Sequence, residues 1–220
     1  MAEVVVVKDQ AAAGALAAES IVDLISGKPD AVLGLATGST PLPVYRALAS
    51  LISERGVDVS HVRGYALDEY VGLPAGHPES YRSVIHREVV EPLGLTPSLI
   101  HVPNGARETI EHAGADYEKA IAESGGVDVQ ILGIGTDGHI GFNEPGSSFA
   151  SVTRVKTLTE QTRKDNARFF DSEDDVPMHC ITQGLGTILK ARHLLLLAFG
   201  EGKAEALADA VEGPISASNP

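Results

Sequence analysis

Asp137, His139 and Glu144 fall in one short run, Ile131-Leu-Gly-Ile-Gly-Thr-Asp-Gly-His-Ile-Gly-Phe-Asn-Glu-Pro145. An imidazole between two carboxylates is suited to proton transfer, with one acid orienting the ring and the other tuning it. The apolar start of the run reads as a buried strand, and the glycines break that strand into a turn. Strand ends that deliver polar groups into glycine-rich turns are where open α/β sheets bind small molecules. His139 alone would pass for a core histidine, but its two acidic neighbours argue for catalysis. The same run contains Gly133-Ile-Gly-Thr-Asp-Gly138, a formal G-x-G-x-x-G match. A dinucleotide fingerprint has to open a helix, and here Pro145 and further glycines interrupt any helix, so a dinucleotide is not expected. His61, His77, His86 and His101 lack metal-ligand spacing, and no Gly-x-Ser-x-Gly elbow is present. The expectation is an enzyme without metal or cofactor.

Three further segments carry candidate chemistry. Leu33-Gly-Leu-Ala-Thr-Gly38-Ser39-Thr40-Pro41 runs from a strand into a helix start, with Pro41 suited to the first helical turn. Amides and hydroxyls of Gly38, Ser39 and Thr40 at the positive end of a helix dipole can hold a phosphate, although an ordinary capped turn looks the same in sequence. No Lys-Ser or Lys-Thr follows, so this is not a Walker loop. Asp68 and Glu69 end another strand; neighbouring side chains of an extended chain point in opposite directions, so one of the two faces the site. A carboxylate there can abstract a proton next to a carbonyl or imine, whereas the commoner fate of an Asp-Glu pair is the surface. Residues 159–175 are dense in charge, with Phe169-Phe170 as the apolar anchor. They read either as a solvated surface helix or as a mobile lid that folds Arg168 over a substrate.

The elements that must position these groups follow from periodicity. Residues 4–7, 31–36, 127–134 and 194–199 read as strands buried on both faces. Helical stripes separate them: Ala18, Ile21, Val22, Ile25; Val44, Ala47, Leu48, Leu51; and Ala204, Leu207, Ala208, Val211. This alternation implies an α/β fold, a three-layer sandwich around a mainly parallel sheet. At 220 residues and 43% apolar content the chain fits one domain, residues 1–220, with the lid at 158–178. No apolar run is long enough to span a bilayer, the N-terminus lacks the pattern of a signal peptide, and Cys180 is the single cysteine. A cytoplasmic enzyme is expected. A net charge of −13 argues against nucleic acid, and gives each cation near a glycine loop added weight.

Four segments in order, residues 33–41, 67–73, 77–82 and 132–145, resemble glucosamine-6-phosphate deaminases (isomerising) of the glucosamine/galactosamine-6-phosphate isomerase family. The resemblance covers nearly the whole chain. It implies the Rossmann-like fold shared with ribose-5-phosphate isomerases, and conversion of glucosamine 6-phosphate and water to fructose 6-phosphate and ammonia. By resemblance Asp68 is the base that moves a proton between C2 and C1, and His139 opens the sugar ring, tuned by Asp137 and Glu144. Ser39, Thr40, Arg168 and Lys203 then sit where the family holds phosphate. Allosteric members are hexamers that bind N-acetylglucosamine 6-phosphate between subunits, at positions matching Ser147, Ser148, Arg154, Lys156 and Thr157. The two hydroxyls of Ser147 and Ser148 and the two cations Arg154 and Lys156 also read as an ordinary polar surface strand. Family members usually continue past residues 213–216 into a further strand and helix, which leads to the expectation of an uncovered sheet edge. The rival readings are a 6-phosphogluconolactonase-like hydrolase, which has no use for a C2 base, and a non-catalytic sugar-phosphate sensor, which has no use for the acids.

Overall fold

The computed structural model describes residues 3–219. Its central element is β1 (Val32–Leu35), four buried residues whose alternation shows why both faces need cover. Leu33 and Leu35 pack with Ile21, Ile25, Val44 and Leu48 in the main core, while Val32 joins Tyr65, Tyr117 and Ile121 on the opposite face. The first layer comes from α1 (Gln10–Gly27) and α2 (Leu42–Arg55). Asp9 caps α1 by accepting from the Ala12 N–H, and Gly56, in the left-handed region at φ 62°, ends α2. The opposite face is covered by α5 (Ile110–Glu123), whose Tyr117 and Ile121 pack with Val32 and Tyr65.

The remaining elements in chain order are β2 (Arg63–Ala66), β3 (Asp68–Tyr70), α3 (Tyr81–Ile85), a π-helical turn (His86–Val90), α4 (Glu91–Leu93), β4 (Ile100–His101) and α5. Then follow β5 (Val129–Gly133), β6 (Arg154–Thr157), α6 (Glu160–Asn166), β7 (His179–Thr182), α7 (Leu185–Ile188), β8 (His193–Leu197) and α8 (Ala204–Glu212). The main sheet has the order β4-β2-β1-β5-β8, and all its pairings are parallel. From β1 the chain proceeds outward through β2 and β4; from β5 it proceeds the other way, to β8. The order therefore reverses between β1 and β5, and the crevice at such a switch point is where ligands bind.

The α/β expectation holds, with four differences. A second sheet, the antiparallel β3-β7-β6, flanks the first. Its strands are short and polar enough that periodicity alone does not separate them from loops. Residues 4–7 form no strand, and Val4, Val5 and Val6 are exposed, because a β-prone run needs a neighbour to pair with and no described residue supplies one. β8 is an edge strand with Leu194 and Leu196 exposed rather than buried on both faces. In α8 the buried residue is Ala206, and Ala204, Ala208 and Val211 face outward, so the apolar stripe is not the packed one.

β6 and β7 pair from Arg154↔Thr182 to Thr157↔His179, and the Leu158 N–H donates to the Met178 carbonyl at 2.9 Å. Residues 158–178 are thus one long excursion whose two ends are pinned side by side.

Candidate active site

A cleft of about 530 Å³ opens where the parallel strands end. Gly38, Ser39 and Thr40 reach it from the end of β1, Asp68 from just beyond β2, His139 from beyond β5, and Lys203 from beyond β8. Thr162, Asn166, Arg168 and Phe169 line it from the 158–178 excursion. Residues far apart in sequence meet here because every parallel strand points the same way.

The start of α2 reaches the cleft at Pro41 and Leu42. Pro41 occupies the N-cap rather than the first helical position, and α2 has no side-chain cap. Pro43 has no N–H and the Val44 N–H donates to the Pro41 carbonyl at 2.9 Å, so what the helix start offers an anion is chiefly its dipole. Tyr45 steadies this loop, its hydroxyl donating to the Ala36 carbonyl at 2.9 Å and accepting from the Ala36 N–H at 3.1 Å. Lys203 is half-buried and Arg168 exposed, with the Arg168 guanidinium 4.8 Å above the Phe169 ring. The cleft lining thus combines the start of α2 with three cations, Arg87, Arg168 and Lys203.

Asp68, which lines the same cleft, is buried at the first position of β3. Burial pushes its carboxyl up to about 8, with the neighbouring Glu69 charge adding to the effect. Glu69 points away, as strand alternation requires. It accepts the N–H groups of Tyr70, Tyr81 and Arg82 at 2.8, 2.9 and 3.0 Å, tying β3 to the start of α3. Burial raises the Glu69 carboxyl, and the three amides and Arg82 hold that rise back. Gly141, at φ 58°, leaves room above Asp68: a Cβ there would lie 3.5 Å from Asp68 Oδ2 and 3.2 Å from Thr182 Oγ1.

His139 Nδ1 lies 2.6 Å from Asp137 Oδ1 and 3.8 Å from Glu144 Oε2. The same Asp137 oxygen accepts the His139 N–H at 3.2 Å. Partial burial pushes the Asp137 carboxyl up, but the bonds and charge from His139 outweigh it, leaving Asp137 below the usual carboxylate range. With Nδ1 held by carboxylates, Nε2 is the nitrogen left to exchange protons with a substrate. Any side chain at Gly135 would run into this ring, so the ring position depends on that glycine. Asp137 and Glu144 stand behind His139 instead of lining the cleft. Asp137, His139 and Glu144 each bring one ligand atom within 4.8 Å of the others, close enough to share a cation. The Asp137 hydrogen bond engages Nδ1, an arrangement that also suits proton transfer through Nε2.

The remaining candidates do not enter the cleft. The buried Ser147 hydroxyl donates to the Glu144 carbonyl at 2.7 Å, and Ser148 Oγ accepts from the Ala150 N–H at 3.2 Å. Arg154 Nη1 donates to Asn143 Oδ1 at 2.9 Å. Arg154 and Lys156 share one face of β6, and Thr157 lies on the other.

Sequence reasoning passed over Asn143, Thr162 and Thr182. Asn143 is fully buried and donates to the Ile140 and Gln183 carbonyls at 2.9 and 2.8 Å, locking the turn that bears His139 to the end of β7. Thr182 pairs with Asp68 in register and accepts the Phe142 N–H at 3.2 Å. The hydroxyl of Thr162 donates to Glu144 Oε1 at 2.7 Å. Only for Asn143 was there a sequence signal, its place inside the catalytic run.

The family model for glucosamine-6-phosphate isomerases/6-phosphogluconolactonase matches residues 8–220. The chain belongs to this family. Among curated members, glucosamine-6-phosphate deaminase of Bifidobacterium longum (strain DJO10A) is 62% identical over 100% of this chain and 85% of its own length. The glucosamine-6-phosphate deaminase of Streptomyces avermitilis is 62% identical over 99% of this chain and 84% of its own. A solved structure described as a monomeric glucosamine-6-phosphate deaminase superposes with a TM-score of 0.93 at 42% identity, covering 97% of this chain and 89% of that one. The 6-phosphogluconolactonase of Trypanosoma cruzi shares the fold, at a TM-score of 0.74 and 21% identity.

Proposed function

We propose that this family member is a glucosamine-6-phosphate deaminase (isomerising), acting in amino-sugar catabolism. The observation that carries the reading is a buried carboxyl, Asp68, facing the same cleft as a carboxylate-held imidazole, His139. The identity to curated deaminases supports it. Phosphate binds the α2 N-terminus, the Ser39 and Thr40 hydroxyls, Lys203 and Arg168, with residues 158–178 acting as the lid. His139 Nε2 relays the proton between the anomeric hydroxyl and the ring oxygen, which opens the sugar to its C1 aldehyde. Asp137 and Glu144 stabilise the charge the imidazole takes on. Asp68, ionised, then removes the C2 proton and returns it to C1, converting the amino aldehyde through an enolamine to a C2 imine. Water adds to the imine and ammonia leaves, giving the ketone of fructose 6-phosphate. No cofactor enters this sequence of steps. A coupled assay for ammonia release from glucosamine 6-phosphate tests the reading. Absence of ammonia alongside hydrolysis of 6-phosphogluconolactone would replace it with the lactonase, and binding of the sugar phosphate without turnover would replace it with the sensor.

The same reading extends to a cytoplasmic homo-oligomer, a hexamer, activated by N-acetylglucosamine 6-phosphate at Ser147, Ser148, Arg154, Lys156 and Thr157. What supports this is that Arg154 and Lys156 share a face of β6, which runs straight into the lid, and that Arg154 already grips Asn143 of the catalytic turn. Light scattering reads the assembly directly. Saturation curves with and without the effector, for wild type and Arg154→Ala, read the activation; coincident wild-type curves would remove it.

A further inference from the structure

Two hydroxyls of the 158–178 segment converge on one catalytic oxygen. Thr159 caps α6, its side chain accepting the Thr162 N–H at 3.2 Å, and the two hydroxyls lie 2.8 Å apart. Both reach Glu144 Oε1, Thr162 at 2.7 Å and Thr159 at 3.3 Å. Thr162 is 9% exposed, so its hydroxyl is shielded from competing water. The other oxygen of Glu144, Oε2, is the one that faces His139. One carboxylate therefore connects the segment bearing Arg168 to the proton-transfer group. The far end of α6 is anchored separately, where Asn166 Nδ2 donates to the Tyr70 hydroxyl at 3.0 Å.

A glutamate has three side-chain torsions, and a hydrogen bond to one oxygen removes most of the freedom of the other. We propose that Thr162 is a positioning residue. When the segment is seated, its hydroxyl holds Glu144 with Oε2 toward His139, so that capture of the substrate phosphate by Arg168 sets the ring-opening group. Binding energy at a remote part of the substrate is thereby used at the reacting centre. The inference rests on reading Arg168 as a phosphate ligand and His139 as the ring-opening group. It adds the physical link between them.

The experiment compares Thr162→Val, which keeps the volume and loses the hydroxyl, with Thr162→Ser, which keeps the hydroxyl. Amide hydrogen exchange across residues 158–170 is measured on the ligand-free protein, and kcat and KM are measured with glucosamine 6-phosphate. The valine variant should exchange about tenfold faster there and lose about tenfold in kcat, the scale of one hydrogen bond to a charged group, with KM within about twofold. Serine should restore both. In an Arg168→Ala background the same valine change should cost less than about twofold in kcat, because the phosphate no longer seats the segment. Wild-type exchange in the valine variant, a rise in KM with kcat unchanged, a serine variant no better than valine, or full additivity with Arg168→Ala would each overturn the proposal. Should Thr162→Val not fold, Thr159→Val stands in, with a smaller effect in the same direction expected from its longer bond. A wild-type protein that releases no ammonia refutes the reaction, while the exchange data still decide whether Thr162 seats the segment on Glu144.

Discussion

Asp68, the proposed base, is where the chemistry is most sharply defined at the scale of single residues. A carboxyl raised to about 8 in the folded chain, against about 3.9 in an unfolded one, binds its proton more tightly when folded. The stability this gives is complete below the unfolded value and disappears as pH rises through about 8. Asp68→Asn should therefore melt about 3–6 °C above wild type at pH 8.5 and with it at pH 4, as read by calorimetry. The same variant should lose turnover by roughly a hundredfold or more while binding glucosamine 6-phosphate almost as before. Solvent-deuterium exchange at C2 that persists in Asp68→Asn would refute its role as base. Glu69 differs in kind, because its three amide partners make it the fastener between β3 and α3. Glu69→Ala should cost about 2–4 kcal/mol of stability, seen in the urea midpoint, since it strands three partly buried N–H groups.

Elements determine which residues can meet. The switch between β1 and β5 sets the loop of Gly38, Ser39 and Thr40 beside the turn that bears His139, and the antiparallel sheet supplies Asp68 from β3 and the two ends of the 158–178 segment from β6 and β7. That segment, the proposed lid, is stitched together by Arg163, which donates to the Glu173 and Val176 carbonyls. Arg168 is exposed, with the Phe169 ring against it, so its removal should leave the fold of residues 158–178 intact. Arg168→Ala should raise KM for glucosamine 6-phosphate by an amount equal to about 1.5–3 kcal/mol, a lost charge-assisted bond, with little change in melting. An equal proportional loss with unphosphorylated glucosamine would show that Arg168 does not bind phosphate.

At the scale of the whole molecule, one edge of the main sheet carries exposed apolar side chains among the described residues. β8 pairs with β5 on one side, and Leu194 and Leu196, two positions apart on a single face, are exposed. No helix among the described residues is long and apolar enough to cross a membrane. An exposed apolar edge invites pairing between chains. A Leu194→Lys, Leu196→Lys double variant should change stability by less than about 1 kcal/mol yet remain dispersed at concentrations where wild type self-associates, as followed by light scattering. Identical scattering from both proteins would show that this edge does not drive association.

Local chemistry was legible in the sequence because it is encoded locally. The strand-to-turn breaks at Gly38 and Gly135, the alternation that sends Asp68 and Glu69 opposite ways, and the acid–imidazole–acid run all depend on residues a few positions apart. β1 and α1 were legible for the same reason, since a fully buried strand and a striped helix announce themselves by period. Residues 4–7 and the stripe of α8 carried equally good local patterns and misled, because burial requires a partner that only the assembled chain can supply or withhold. The second sheet, the locking of Asn143 to Gln183, and the Thr162 hydroxyl on Glu144 all join residues distant in sequence or short of periodic signal. Chain composition and spacing determined which groups were capable of chemistry. Tertiary structure decided which of them share a cleft, which stand behind it, and how far burial moves a proton on Asp68, since solvation and distance are properties of the folded neighbourhood.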